Sequence, residues 1–270
     1  KKISTDKPAF VMGILNVTPD SFYEKSRGTF DKAMNLIEEG ADIIDIGGES
    51  TRPGFKPVSA DEEISRIIPI IKEIRKKSDV LISVDTTKSE VMKVAYEYGA
   101  NIVNDISSFN ADINMASFAA KNNLSVILTH NFSYSDSKRS LSCDILKEVS
   151  DYLFKQIDFG IEKGIKRENF IIDCGIGFGK TFEENCTLIT SANKLCNGEF
   201  PVLMALSRKR CISEMINNGI LKDDVEERLF GTISANLLAV INGAKIIRVH
   251  DVKAAVDSLI VAKNVMKNLW

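Results

Sequence analysis

Short runs rich in isoleucine, valine and leucine alternate along the chain with longer segments whose apolar residues recur every three to four positions. The short runs predict eight strands: Phe10 to Val17, Ile43 to Gly47, Leu81 to Asp85, Ile102 to Ile106, Val126 to His130, Phe170 to Asp173, Val202 to Leu206 and Ile246 to Val249. The periodic segments predict helices over 29–39, 60–77, 88–98, 112–122, 143–163, 182–195, 208–242 (with a break near Gly219) and 252–268. Ser59 with Glu62, and Thr87 with Glu90, have capping-box spacing, while Gly40, Gly99 and Gly164 stand where a helix-terminating glycine belongs. Pro69 falls inside the second helix, where its missing N–H and its ring predict a break. Gly-Ala-x-Ile recurs at Gly40, Gly99 and Gly243, a weak internal repeat of one αβ turn.

Strands such as VLMAL and DIIDI are too continuously apolar for a sheet with one wet face; they suit a parallel sheet buried on both sides. Eight βα units of this kind close into a barrel. The expected fold is therefore α/β, a single (β/α)8 TIM barrel over 1–270, with its active site at the C-terminal ends of the strands. The serine-rich stretch 131–142 reads as a long loop after strand five and not as a linker.

Composition removes several classes of function. Hydrophobic residues make up 44% of the 270, enough for a large core, which excludes disorder as the main state. Lys plus Arg number 35 against 37 Asp plus Glu, so no basic field exists to bind a nucleic acid. No apolar run approaches the ~20 residues of a spanning helix, and the polar start KKISTDKP lacks the apolar centre of a signal peptide. A cytoplasmic protein without membrane partners is the expectation, and a start at Lys1 leaves open that a longer protein contains it. Five cysteines without zinc-type spacing read as reduced thiols, and with only His130 and His250 a histidine-rich metal site is excluded.

In such barrels catalytic groups sit where strands end, so the strand ends are the place to look. Polar residues recur there: Asn16; GGESTRPG after strand two; Asp85; Asn104-Asp105; Thr129-His130; Asp173; Ser207-Arg208-Lys209; Arg248 and His250. Each also has a plainer reading. Asp85 stands before Thr86-Thr87 and would serve to hold the next helix start, Asp105 is the most structural of the interior polar residues, and His130 reads as structural. Asp85, Asn104 and Asp173 are favoured as ligand groups. The segment DCGIGFGK resembles a phosphate loop, but a Walker A needs glycine at position 174, where this chain has cysteine, so nucleotide triphosphate binding is not supported. Its glycines suit a close backbone approach to a flat ligand. The cations of SRKR at a helix start point to an anion, and Arg248 and His250, two apart on strand eight, are expected to project from one face beside it.

Taken in order, MGILNVTPDSF at 12–22, GGESTRPG at 47–54, ISVDT at 82–86, NDI at 104–106, DCGIGFGK at 173–180, SRK at 207–209 and RVHDV at 248–252 resemble the motifs of the dihydropteroate synthase family over the whole length. The resemblance implies condensation of 6-hydroxymethyl-7,8-dihydropterin diphosphate with p-aminobenzoate, giving 7,8-dihydropteroate and pyrophosphate. By resemblance, Asp85, Asn104, Asp173 and Lys209 bind the pterin; Asp85 and Lys209 serve catalysis, the negative charge of Asp85 stabilising the cation of an SN1-like step and Lys209 contacting the pterin and helping to shape the p-aminobenzoate site. Arg52, Arg248 and His250 would hold the diphosphate, Thr51, Pro53 and Phe178 would line the p-aminobenzoate site, and Mg²⁺ would sit near Asn16. A homodimer is implied as well, with the apolar face Leu229, Phe230, Ile233, Leu237 and Ile241 serving either an interface or, the favoured reading, the core.

The chain departs from the family pattern in places. YEKSRG follows NVTPDSF where many members have an Asp-Gly-Gly type of sequence; Cys174 replaces a usual proline; Ala205 replaces a frequent glycine; Thr129-His130-Asn131 replaces Met-His-Met; Arg210 stands for a common serine. Two rivals follow. A pterin-binding methyltransferase barrel shares the fold but has no need of STRPG, SRK and RVHD. A catalytically silent pterin-binding paralogue draws on the altered first loop.

Overall fold

The structure, a computed structural model, describes residues 7–17, 25–49, 58–134, 144–222 and 224–266. Eight parallel strands close into a barrel in sequential order, with β8 returning to pair with β1. They are β1 (Phe10–Asn16), β2 (Ile43–Gly47), β3 (Leu81–Asp85), β4 (Ile102–Asp105), β5 (Ser125–Thr129), β6 (Phe170–Asp173), β7 (Val202–Met204) and β8 (Ile246–Val249). The helices are α1 (Lys25–Glu38), α2 (Ala60–Lys77), α3 (Ser89–Glu97), α4 (Asn114–Lys121), α5 (Ile145–Glu162), α6 (Phe182–Ile189), α7 (Arg210–Ile216), α8 (Leu229–Ile241) and α9 (Val252–Val265). The expected α/β barrel is the observed one.

Side-chain alternation along each strand divides the apolar residues into two clusters. Met12, Ile43, Ile102, Ile127, Leu203 and Ile246 fill the barrel interior, whereas Val11, Leu15, Ile44, Ile46, Ile82, Val84, Val103, Val126 and Leu128 face the jacket of helices. Burial on both faces explains why the strands read as near-continuous apolar runs. The inward column also carries polar residues toward the mouth, where the register places Gly47 beside Asp85, Asp85 beside Asn104 and Thr129 beside Asp173.

Helix ends follow local chemistry. Gly40, Gly99 and Gly164 take the left-handed conformation (φ 102°, 100° and 99°) just past α1, α3 and α5, which a side chain would resist. Ser59 Oγ accepts the N–H of Glu62 at the start of α2. The capping box expected at Thr87 and Glu90 does not form; α3 begins after Lys88, and Thr86 Oγ1 accepts the Lys88 N–H instead. A complete box occurs at Thr181 and Glu184 ahead of α6.

Three other expectations are corrected. Helix α2 runs unbroken through Pro69, because Pro69 and Ser65, whose carbonyl the proline leaves without an intrahelical donor, both face solvent, while Ile67, Ile68, Ile70, Ile71 and Ile74 bury the opposite side. The helix predicted over 182–195 stops at Ile189. A 3-10 turn over Ala192–Gly198 follows, in which Leu195 is extended and Cys196 and Asn197 are left-handed. The segment 208–242 is, as expected, broken near Gly219, into α7 and α8. Helix α8 presents Thr232, Ala235, Asn236, Ala239 and Val240 to the core, so the core reading of its large apolar face is overturned: Phe230 is 78% exposed. Among the described residues no helix is long and apolar enough to cross a membrane, and Cys174, Cys186, Cys196 and Cys211 are free thiols.

Candidate active site

The centre of the barrel mouth is a carboxylate–guanidinium cluster. Arg248, on the inward face of β8, donates from Nε to Asp45 Oδ2 at 2.6 Å and from Nη2 to Asp85 Oδ2 at 2.8 Å. Asn104 donates from Nδ2 to the same Asp45 oxygen at 3.1 Å. Since the Asp45 carboxylate offers only acceptors to these donors, the Asn104 amide is fixed with its Oδ1 available to accept from a ligand. Asp45 and Asp85 each retain one buried oxygen without a protein partner among the described residues. Burial, above all, raises the Asp85 carboxyl to about 7; Arg248 opposes this, and Asp45, Glu63 and Asp105 add to it. For Arg248 burial works against the charge, but Asp45 and Asp85 outweigh it and the net displacement is upward.

Asp45 was not singled out from sequence, though a signal existed. In Ile43-Ile44-Asp45-Ile46, strand alternation puts Asp45 on the same face as Ile43, inside the barrel, where an acidic group needs a cationic partner. Asp105, one residue beyond Asn104, faces the other way. It accepts the N–H of Ser107, the hydroxyl of Ser107 and the N–H of Phe109, holding the turn after β4, in which Ser108 and Phe109 have positive φ. That is the structural role expected of it.

Across the mouth, Asp173 ends β6 and accepts the Gly175 N–H on Oδ1 at 2.7 Å. Burial raises its pKa, with Lys209 the strongest opposing charge. Lys209 lies at the N-terminus of α7, donates from Nζ to the Ile176 carbonyl and lies 4.7 Å from the centre of the Phe178 ring. Burial lowers its pKa, with Asp173 acting in the opposite sense. The loop after β6 thus brings Asp173, Lys209 and Phe178 together.

The other cations of SRKR are used differently from the anion-facing cluster expected of them. Arg208, in the left-handed region at φ 57°, makes a two-pronged pair with Asp251 (3.0 and 2.8 Å) and reaches Glu226, while Arg210 is exposed. His250 lies just past β8. Its Nδ1 is 3.0 Å from Ser207 Oγ, and its backbone N–H donates to the same oxygen. Burial, with Arg248 and Arg208 nearby, lowers its pKa to about 4, so the ring is neutral at pH 7. Arg248 and His250 are neighbours at the end of β8; Arg248 reaches into the barrel toward Asp45 and Asp85, and His250 Nδ1 faces Ser207.

Asn16 ends β1 with an exposed side chain at the rim. Thr51, Arg52 and Pro53 lie outside the described residues. No group of three or more His, Cys, Asp or Glu able to hold a metal occurs among the described residues. A single amide oxygen at the rim fits an ion whose remaining ligands are water and the oxygens of a substrate phosphate, as is usual for Mg²⁺.

Comparison with known proteins places this geometry. The pterin binding enzyme family matches residues 12–250. A dihydropteroate synthase from Clostridium beijerinckii is 40% identical over 258 residues, covering 93% of this chain and 92% of its own. The chain belongs to the pterin binding enzymes, among the dihydropteroate synthases. A solved structure of the Xanthomonas albilineans dihydropteroate synthase with 4-aminobenzoic acid superposes with a TM-score of 0.87 at 38% identity, covering 96% of this chain and 93% of that one. The same enzyme in complex with 7,8-dihydropteroate gives 0.85 at 35% identity, with coverages of 97% and 95%. Membership among the dihydropteroate synthases makes the chain a transferase.

Proposed function

We propose that this enzyme condenses 6-hydroxymethyl-7,8-dihydropterin diphosphate with p-aminobenzoate, releasing pyrophosphate and forming 7,8-dihydropteroate for folate biosynthesis. The observation that carries the reading is the arrangement around one mouth of Asp85 and Asn104, joined through Asp45 and Arg248, with Asp173 and Lys209 opposite them on the loop after β6. Relatives solved with 4-aminobenzoic acid and with 7,8-dihydropteroate support it.

A pterin presents adjacent ring and exocyclic N–H donors. Asp173 suits that edge as a two-oxygen acceptor, and Asn104 Oδ1 adds a further acceptor. Lys209 closes the pterin site and, with Phe178, borders the p-aminobenzoate site, to which Thr51 and Pro53 are assigned by resemblance. Asp85 stabilises the positive charge that develops on the pterin methylene as the diphosphate departs, in an SN1-like step. Its charge serves best when Arg248, its present partner, turns toward the diphosphate. Arg52 and a neutral His250, donating from Nε2, complete the anion site. Mg²⁺ at Asn16 would neutralise charge on the departing diphosphate.

A cytoplasmic homodimer belongs to the same proposal. An apolar band supports it: Phe230 and Leu238 on α8, and Ile260, Val261 and Val265 on α9, are at least half exposed.

The test is pyrophosphate release from the pterin diphosphate with Mg²⁺, with and without p-aminobenzoate. Release that depends on p-aminobenzoate establishes the synthase. Tight pterin binding without release in either case would favour a silent pterin-binding protein instead.

A further inference from the structure

Lys180 closes the segment DCGIGFGK and has no part in the chemistry above, yet its ammonium is fully engaged. Its Nζ lies 3.0 Å from His130 Nδ1, 3.1 Å from the His130 carbonyl and 2.9 Å from the Gly175 carbonyl. An ammonium has three protons and no lone pair, so all three contacts are donations, and the ring proton of His130 is left on Nε2. We propose that Lys180 is a positioning residue that clamps the loop after β6 onto the end of β5 and thereby sets Asp173 and Lys209 for the pterin.

The argument begins at the end of the β5–β6 ladder. His130 N–H donates to the Asp173 carbonyl at 2.9 Å, the last backbone bond of the pair. Beyond it the chain turns away at Gly175, whose φ is 68°, and the His130 carbonyl meets the Lys180 ammonium instead of a strand partner. The approach is too close for any side chain: a Cβ at Gly175 would lie 1.8 Å from the His130 oxygen. Farther along, Gly179 passes Phe132 so closely that a Cβ there would meet the phenylalanine Cβ at 3.0 Å. The loop is nested on residues 130–132, with Lys180 as its fastener.

Two short paths lead from the fastener to the site. The Gly175 peptide accepts Lys180 on its own carbonyl and donates its N–H to Asp173 Oδ1, so one residue carries both the clamp and the carboxylate's orientation. The next carbonyl, that of Ile176, receives Lys209. Asn185 Oδ1 accepts the Gly177 N–H at 2.9 Å and steadies the far side of the same loop. Burial, reinforced by the charge of Lys209, lowers the Lys180 pKa to about 8, while Cys174, Asp173 and Glu184 hold it up, so the clamp is still charged at neutral pH. The His130 ring is neutral, pushed down to about 3 by burial and by Lys180 itself, which suits its part as an acceptor.

This inference rests on the pterin reading of Asp173 and Lys209, and the experiment separates the two. Binding of a pterin lacking the diphosphate is measured by calorimetry for wild type, K180M, D173N and the double variant, at a temperature where circular dichroism shows each folded. K180M should bind about ten-fold more weakly, the effect of stranding buried acceptors that orient a ligand group. In the D173N background the same change should cost clearly less than in wild type, because the part of its effect that passes through Asp173 is already gone. A role confined to holding the fold together would lower thermal stability and leave affinity unchanged, or would make the two losses additive; either result overturns the proposal. If K180M does not fold, K180Q, which keeps two donor protons, runs the same cycle with the same deciding outcomes. A wild-type chain that binds no pterin would overturn the reading of the site itself, whereas wild-type binding with an unaffected K180M overturns only the clamp.

Discussion

Arg248 bridges Asp45 and Asp85, two carboxylates on neighbouring strands, holding the first at 2.6 Å and the second at 2.8 Å. One cation therefore serves two buried carboxyl groups, and burial raises Asp85, at the strand end, to about 7. If Asp85 acts as an anion, kcat/KM should rise with pH through about 7, and D85N should lose both activity and that rise; a wild-type profile flat from pH 5 to 8 would remove Asp85 from the mechanism. The stability consequence has the opposite sign. A carboxyl whose folded pKa lies above its ordinary 3.8 contributes stability that is full below that value and is lost as pH rises through about 7. Urea midpoints of wild type should therefore fall relative to those of D85N between pH 5 and 8.

Asp45 should behave as the anchor of this cluster. D45N keeps the shape but removes the charge that pairs Arg248, and breaking a buried ion pair costs on the order of 3 kcal/mol. It also removes one of the charges that raise Asp85. The variant should be less stable in urea, and the acid limb of its kcat/KM profile should shift to lower pH. A profile unmoved from wild type would mean that Asp45 and Asp85 do not share Arg248 in solution.

The barrel was legible because strands buried on both faces read as near-continuous apolar runs and alternate with helical segments, three of which, α1, α3 and α5, are ended by glycine. The strand-end residues were legible for the same reason: Asp85, Asn104 and Asp173 stand out against the isoleucines and valines before them. Asp45 stayed hidden because DIIDI was read as an apolar run, and only alternation applied residue by residue turns it inward. Lys180 was judged against a phosphate-binding motif and set aside when that motif failed, although a lysine can equally cap carbonyls. The turn over Ala192–Gly198 escaped because left-handed Cys196 and Asn197, residue types that do not announce that conformation, precede Gly198 in it. The outward face of α8 was misjudged because its buried side is built from Thr232, Ala235, Asn236 and Ala239, small or polar residues that the large apolar ones outweigh in any periodic reading.

Arg208 permits a direct measurement of backbone strain. It holds φ 57° while pairing with Asp251 and Glu226. R208A loses the pairs and keeps the strain; R208G loses the pairs and relieves it. R208G should accordingly be more stable than R208A by about 1 kcal/mol in urea unfolding. Equal stabilities would show that the loop relaxes once the side chain is gone.

Pro69 tests whether the unbroken helix carries a penalty. The residue is exposed, and alanine there restores one donor to the Ser65 carbonyl without touching the buried isoleucines. P69A should raise stability by about 1–3 kcal/mol, the range expected for proline in a helix interior with part of its cost already relieved by solvent. Catalytic constants should not change, since α2 presents this residue away from the barrel. A loss of stability would mean that the proline is constraining the unfolded chain more than it strains the helix.

The charge of Lys209 near Asp173 makes the pterin affinity of one variant depend on pH in a defined sense. Burial raises the Asp173 pKa and the Lys209 charge is the main influence holding it down. Removing that charge in K209M should carry Asp173 further toward its neutral form, which has one acceptor fewer for the pterin's N–H pair. Calorimetric pterin affinity of K209M should therefore be weakest at low pH and recover as pH rises and Asp173 ionises. The double variant K209M/D173N should lose that recovery, because no carboxyl is left to titrate. If the K209M affinity is reduced equally at every pH, Lys209 contributes only its own contact and the two residues are independent.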